Sequence, residues 1–435
     1  MDLRTRSSAA SSRRADADSA ADAGRTSSSR VDDTRRSSSH QPRAGRDCSK
    51  PWFCCLLLAM VIMLLVVYTV CISVFSDFQL YPIDASLPDA PPLTGTLSPN
   101  FAESIADAEL LFADVLNGAE CLEWDEMGTL YTGTVNGEIW QLSSGQGQKP
   151  SLVASTGSIM CDSTLERPKR ECGRPLGVRV TSHDSLLVAD GFGGLLNVSL
   201  SDGTVRVLIR NEKSELVSGK PLLLANDLVV APDGMVYITD SSSKFGNDKL
   251  LYDLVEGAPN GRVVRYDPVT GVANTFVDKL HFPNGIELSQ DGQSILVVET
   301  TKARVIRIFI SGERTGQSEV MLPATPGFPD NIRRHPNGGY LIGMSGARTA
   351  LVTFLENKPW IRKFLVSIMP YKVLLSLSKP YSLCVHVSES GDYLSSWHDA
   401  TASKLGHTAH CAVHDGHLYV GSFEKRGIAK LKLRV

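Results

Sequence analysis

Apolar and polar positions along the chain follow three different rhythms. Residues 1–50 mix Ser, Ala, Arg and Asp and contain no Ile, Phe, Tyr or Trp. Residues 52–75, WFCCLLLAMVIMLLVVYTVCISVF, are unbroken by any charge. Further on, short apolar runs alternate with turn residues, which predicts strands rather than helices. Two segments intervene. Residues 77–100 are Pro-rich and read as an extended stalk. Residues 101–116, FAESIADAELLFADVL, carry apolar residues at helical spacing and predict a helix packed on the following domain.

The strand-rich part repeats. Each copy shows a polar residue, an apolar run, a turn and then a β-branched or aromatic strand. The turn glycines are Gly128, Gly234, Gly292, Gly338 and Gly416, with Ser185 in the glycine slot of a further copy. Six copies, mostly about fifty residues apart, predict an all-β fold, a six-bladed β-propeller of four-stranded blades spanning 101–435. A longer gap precedes the last copy. Its segment 349–379 mixes Leu351, Phe354, Trp360, Phe364 and Leu365 with Lys358, Arg362, Lys363 and Lys372. This predicts helices inserted over one propeller face, as a lid over an apolar pocket or as a foot on the membrane surface.

Register brings chemistry with it. Eight residues before the turn position stand Glu120, Gly177, Asn226, Asn284, Asp330 and Thr408. In a radial repeat, equivalent positions form a ring about the axis. Four of the six bear oxygen ligands, which suits a hard cation. No His or Cys occupies the ring, so zinc is disfavoured. Mg²⁺ and Mn²⁺ are compatible, and an extracellular setting favours Ca²⁺. His410, two residues into the last copy, is a candidate general base near neutral pH.

The uncharged run at 51–76 is long enough to cross a bilayer as a helix and reads as an uncleaved signal anchor. Arg43, Arg46 and Lys50 flank its N-terminal side, and no Lys or Arg follows until Lys149. The positive-inside rule therefore predicts a type II single-pass protein. Its tail, 1–50, lies in the cytoplasm, and its propeller is extracellular or luminal, at the plasma membrane or endoplasmic reticulum. The tail lacks the apolar surface to offset its ordering entropy and is expected to be disordered. Cys161 and Cys172 flank a short polar loop in the oxidising compartment and are the expected disulfide. The odd number of cysteines beyond the anchor leaves at least one thiol unpaired. Asn197, in Asn-Val-Ser, is the one glycosylation sequon. The net charge of −3 gives no support for nucleic-acid binding.

The stretches CGRPLGVRV (172–180), ANDLVVAPDGMVYITDSS (225–242), FPNGIELSQDG (282–292), GFPDNIRRHPNGGYLIG (327–343) and HDGHLYVGSF (414–423) resemble the strictosidine synthase-like branch of six-bladed calcium propellers. Within it they look most like the adipocyte plasma membrane-associated protein group; paraoxonases and gluconolactonases lie in the wider superfamily. The resemblance spans roughly 100–435. It implies that Glu120, Asn226, Asn284 and Asp330 bind a catalytic Ca²⁺, with Asn331 a further ligand and Asp330 doubling as base. It also implies the Cys161–Cys172 pairing. Three departures stand out. Cys121 replaces an Asp that helps hold a second, structural ion in paraoxonases. Ala409 stands about where plant strictosidine synthases carry their catalytic Glu, which disfavours amine–aldehyde condensation. The paraoxonase His pair has no match in CGRPLG. The expected function is a membrane-anchored, calcium-dependent hydrolase of small apolar esters or lactones, arylesterase-like. The alternative is a non-catalytic propeller pinned by calcium that acts as a binding module.

Overall fold

A computed structural model describes residues 51–75, 80–143, 149–158, 161, 169–377 and 379–434. The expected disordered tail, 1–50, lies outside the described residues. Pro51–Phe75 is one α-helix. Within it, Trp52–Val70 has a mean hydropathy of 2.9, and nearly all its side chains are exposed. At 1.5 Å per residue a helix of this length matches the hydrocarbon core of a bilayer.

The propeller has six antiparallel four-stranded sheets. Their innermost strands are Glu123–Trp124, Pro175–Ser182, Ala225–Val230, Pro283–Leu288, Gly327–Arg334 and Thr408–His414, in blades one to six. All six predicted turns join the first and second strands of a blade. Blades one to five are each made in chain order. Blade six takes its outer strand, Glu109–Leu111, from before blade one, and pairs it with Ile428–Lys432. That pairing closes the ring across the two ends of the domain. Ser422 N donating to Ala119 O, 2.9 Å, adds a backbone link between blades six and one.

Each strand alternates sides, so each blade offers an apolar face to both neighbours. Six clusters of buried side chains result, one between each adjacent pair of blades. Among the described residues there are two disulfides. Cys161–Cys172 is the expected one, and Cys384–Cys411 ties blade five to blade six. Cys121 is buried and free.

Two expectations about 77–116 change. The predicted helix at 101–116 is absent. Its place holds a single 3₁₀ turn, Ile105–Asp107, and the closing strand Glu109–Leu111. Ring closure supplies strand hydrogen bonds, which outweigh a helical apolar spacing. The described part of the stalk is not free-standing. Leu80, Ala85 and Leu97 are buried, and Leu97 belongs to the core between blades four and five. Ile83 N donates to Glu256 O, 3.0 Å, and Ala85 N to Glu356 O, 2.9 Å. The segment 349–379 is helical, as expected. Ala350–Leu355, Pro359–Ile368 and Tyr371–Ser376 lie between the second and third strands of blade five.

Candidate metal centre on the propeller axis

The innermost strands do not pair evenly with their neighbours. In blades three, four and five the register shifts between Ala225 and Leu228, Pro283 and Ile286, and Pro329 and Ile332. Each shift inserts a bulge that lifts two residues out of the ladder, a device common beside active sites. The bulged pairs are Asn226–Asp227, Asn284–Gly285 and Asp330–Asn331. This explains why strand-breaking polar residues open three core strands: the bulge aims a side chain off the sheet plane. In blades two and six the shift spans one residue, Leu176 and Ala409.

Glu120, Asn226, Asn284 and Asp330 line one cavity of about 630 Å³. All four are buried. Asn226 Oδ1, Asn284 Oδ1 and Asp330 Oδ1 have no hydrogen-bond partner. Buried acceptors without partners are rare and cost about 1–3 kcal/mol each. Three of them, from three blades, line one cavity and form a donor set of the kind a hard cation takes. Electrostatics agree. Burial, and then the charge of Glu120, raise the Asp330 carboxyl well above the ordinary carboxylate range; the Asn284 and Ser345 side chains work against that rise. Burial also raises Glu120, although the Arg174 guanidinium 2.6 Å from Oε2 opposes it. Glu120 thus has one buried cation beside it, and two carboxylates share that single positive charge at the cavity. Among the described residues no three His, Cys, Asp or Glu side chains gather into a metal-binding cluster. The donors here are two carboxylates and two amide oxygens, a set suited to a hard cation and not to zinc.

The other predicted positions fall elsewhere. Gly177 does not line the cavity; its neighbour Leu176 does. A Cβ on Gly177 would lie 2.8 Å from Asp227 Oδ1, so glycine there allows blades two and three to approach. Thr408 is buried with Oγ1 unpartnered, and it too is off the cavity. Asn331 and His410 are buried, have no partners on either side-chain polar atom and are not among the cavity-lining residues. His410 thus lies apart from the residues that line this cavity. Burial, then the charges of Arg333 and Arg179, push its imidazole well below its ordinary range and keep it neutral. Asn197 is half-buried in the strand Gly194–Ser199, with Nδ2 donating to Ser185 Oγ at 2.7 Å.

A second polar layer shares the axis. Asp227, fully buried, accepts from Arg333 Nη1 at 2.7 Å, Arg333 Nη2 at 3.1 Å, Ile286 N at 3.0 Å and Leu228 N at 2.9 Å. Arg333 Nη2 also lies 3.3 Å from Cys121 Sγ. Arg179 approaches Glu123 at 3.5 Å, Asp227 at 3.7 Å and Glu287 at 3.8 Å. Blades one to five thus meet through guanidinium groups. Guanidinium groups of Arg333 and Arg179 also flank Cys121 Sγ, at 3.3 and 4.0 Å.

The rest of the cavity is largely apolar. Leu176, Leu224, Phe282, Phe328, Leu351 and Leu365 supply much of its wall, and the inserted helices contribute further residues. Sequence reasoning missed three polar neighbours. Arg174, in CGRPLG, grips Glu120. Ser345 and His407 also line the cavity. The signal for His407 was weak, a histidine after a glycine just ahead of the last inner strand.

The Strictosidine synthase family model matches residues 226–313. An adipocyte plasma membrane-associated protein from Danio rerio is 36% identical over 402 residues, 91% of this chain and 94% of its own. Among solved structures, a gluconolactonase from Xanthomonas campestris aligns with a TM-score of 0.50 at 16% identity, over 81% of this chain and 97% of its own. Regucalcin, a calcium-binding protein from Agrobacterium tumefaciens, also gives 0.50 at 16% identity, over 75% and 93%. At that identity the two structures speak to the propeller fold alone. With its six blades, its axial oxygen donors and a relative matched along nearly its whole length, the chain belongs to the adipocyte plasma membrane-associated protein group of the strictosidine synthase-like family.

Proposed function

We propose that this protein is a membrane-anchored, calcium-dependent hydrolase of small apolar esters or lactones. One observation carries the reading: three partnerless oxygens, and two carboxylates of which only Glu120 has a cation beside it, line one largely apolar cavity. Glu120, Asn226, Asn284 and Asp330 would hold the ion, and Asn331, off the cavity, would adjust only through its neighbour. A bound Ca²⁺ would polarise the substrate carbonyl and favour negative charge developing on its oxygen. The chain's own residues supply the rest. Arg174 fixes Glu120 through Oε2 and leaves Oε1 for the site. The apolar wall takes the acyl and leaving-group carbons and excludes bulk water, which strengthens every polar contact within.

Anchoring by Pro51–Phe75 with the propeller outside or in the lumen completes the proposal. Two disulfides in the propeller support that side of the membrane. On the inserted helices Trp360 is 72% exposed and Phe354 54% exposed, beside Lys358 and Lys363. That face suits the headgroup region of a bilayer and would draw apolar substrate toward the cavity.

The test uses full-length protein in detergent, with phenyl acetate and simple lactones, with calcium and with EDTA. Turnover lost both on chelation and in Asp330→Ala supports the hydrolase. Calcium-dependent thermal stability with no turnover of any ester or lactone supports the binding module instead.

A further inference from the structure

The cavity holds a histidine in an unusual backbone position. His407 has φ of +60°, in the left-handed region, which a non-glycine residue adopts at some cost. Its ring is buried and reaches the cavity that contains Asp330, Asn284 and Glu120. Nδ1 lies 2.7 Å from Ser345 O. A carbonyl oxygen can only accept, so Nδ1 carries the proton. In the neutral ring Nε2 is then bare. That nitrogen stands 3.6 Å from Glu424 Oε1, too long for a hydrogen bond but close enough to steady a positive charge. Phe423 flanks the ring, with centroids 5.5 Å apart.

These contacts make an oriented base. One nitrogen is fixed by the main chain, the other is unprotonated, and a carboxylate waits for the imidazolium. Ser345 links this arrangement to the axial site, because its side chain also bears on Asp330. The strand carrying His410 places that histidine off the cavity; three residues earlier, the loop turns His407 into it.

We infer that His407 is the general base for hydrolysis in this cavity, with Glu424 as its positioning residue. The inference rests on the hydrolase reading above. The step balances as follows. His407 Nε2 takes one proton from a water molecule as that water's oxygen bonds to the carbonyl carbon. The imidazolium, held beside Glu424, returns the proton to the leaving oxygen as its bond to the carbonyl carbon breaks. An acid and an alcohol leave, or one hydroxy acid if the substrate is a lactone, and the ring is neutral again.

Several charged groups surround His407. Glu424 faces Nε2, and Lys425 lies 3.6 Å from the same Glu424 oxygen. Lys379 stands on the cavity wall, with Arg174, Glu120 and Asp330 also lining the cavity.

The experiment compares full-length wild type with His407→Asn, since Asn tolerates a left-handed backbone, and with Glu424→Gln. The probe is phenyl acetate in calcium. His407→Asn is expected to lower kcat by about 10²–10⁴-fold, the usual worth of general acid–base catalysis, with KM little changed. Added imidazole should restore part of that rate. Calcium affinity by calorimetry, and thermal stability in calcium, should stay at wild-type values. Glu424→Gln should cause a smaller loss of kcat, with KM little changed. Nitrogen NMR of the resting protein should show the Nδ1–H tautomer. An active wild type whose His407→Asn variant keeps its kcat overturns the role of His407 and leaves the hydrolase reading standing. The Nε2–H tautomer overturns it too, independently of turnover. A wild type inactive on every ester and lactone overturns both.

Discussion

Arg333→Met tests the idea that guanidinium groups pin the lower level of the axis. The substitution keeps an unbranched apolar stem and removes the charge. Asp227 loses its two shortest side-chain contacts, at 2.7 and 3.1 Å, and Cys121 Sγ loses a donor at 3.3 Å. Asp227 keeps the amides of Ile286 and Leu228, and Arg179 remains 3.7 Å away. Breaking a buried pair by removing one partner costs about 3–5 kcal/mol. Unfolding entropy of about 2.1 cal/mol/K per residue gives about 0.7 kcal/mol/K for a propeller of roughly 330 residues. The expected fall in Tm is therefore about 4–7 °C at pH 7.

That effect has a pH signature. Burial alone would raise the Asp227 carboxyl, but Arg333 and then Arg179 outweigh it and hold the group below its ordinary value. A depressed folded pKa contributes stability above the unfolded value of about 3.9, and that stability is lost as pH falls through the folded value. The gap between wild type and Arg333→Met should thus be full at pH 7 and close as Asp227 takes up a proton. Scanning fluorimetry of both proteins, from pH 7 down to the lowest pH at which wild type stays folded, measures it. In Asp227→Asn/Arg333→Met the two losses should be less than additive. An unchanged or higher Tm for Arg333→Met at pH 7, or a gap that does not vary with pH, refutes the pin.

Three further outcomes are expected. In EDTA the raised Asp330 carboxyl costs stability as pH rises through its folded value; Asp330→Asn should therefore melt higher than wild type in EDTA at pH 7, and should lose the stabilisation that calcium confers on wild type. Cys384→Ala should lower Tm by an amount corresponding to about 2–4 kcal/mol, and a reductant should then have less effect on the variant than on wild type. Gly177→Ala places a methyl carbon 2.7 Å from Asp227 Cα, a backbone atom that cannot swing aside; overpacking of this kind costs about 1–3 kcal/mol, read as a lower denaturant midpoint at unchanged m-value.

How much of the site was legible depends on the blade. In blades one, three, four and five, counting back from the turn reached the cavity residues Glu120, Asn226, Asn284 and Asp330 directly. In blades two and six it reached Gly177 and Thr408 rather than the bulge residues Leu176 and Ala409. A bulge of one residue instead of two leaves no mark in composition, and a slip of one position turns a side chain to the other face. The strand pattern singles out His410 and carries no signal for His407. Proximity to a strand is visible in the sequence; the left-handed turn that swings His407 into the cavity is not.

The sequence by itself determined what depends on neighbours along the chain: the long apolar helix, six strand–turn–strand copies and the oxygen-bearing phase shared by four of them. Periodicity and turn chemistry are local, so they survive without knowledge of the fold. Tertiary structure alone decided what depends on residues far apart. It recruited Glu109–Leu111 from an apparent helix to close blade six, packed the supposed stalk against the propeller and filled the lower axis with Arg179 and Arg333. It also set His407, three residues before His410, on the cavity wall. Each of these outcomes is a competition between a local preference and partners that meet only when the ring closes, and the ring's hydrogen bonds and buried charges are the stronger terms.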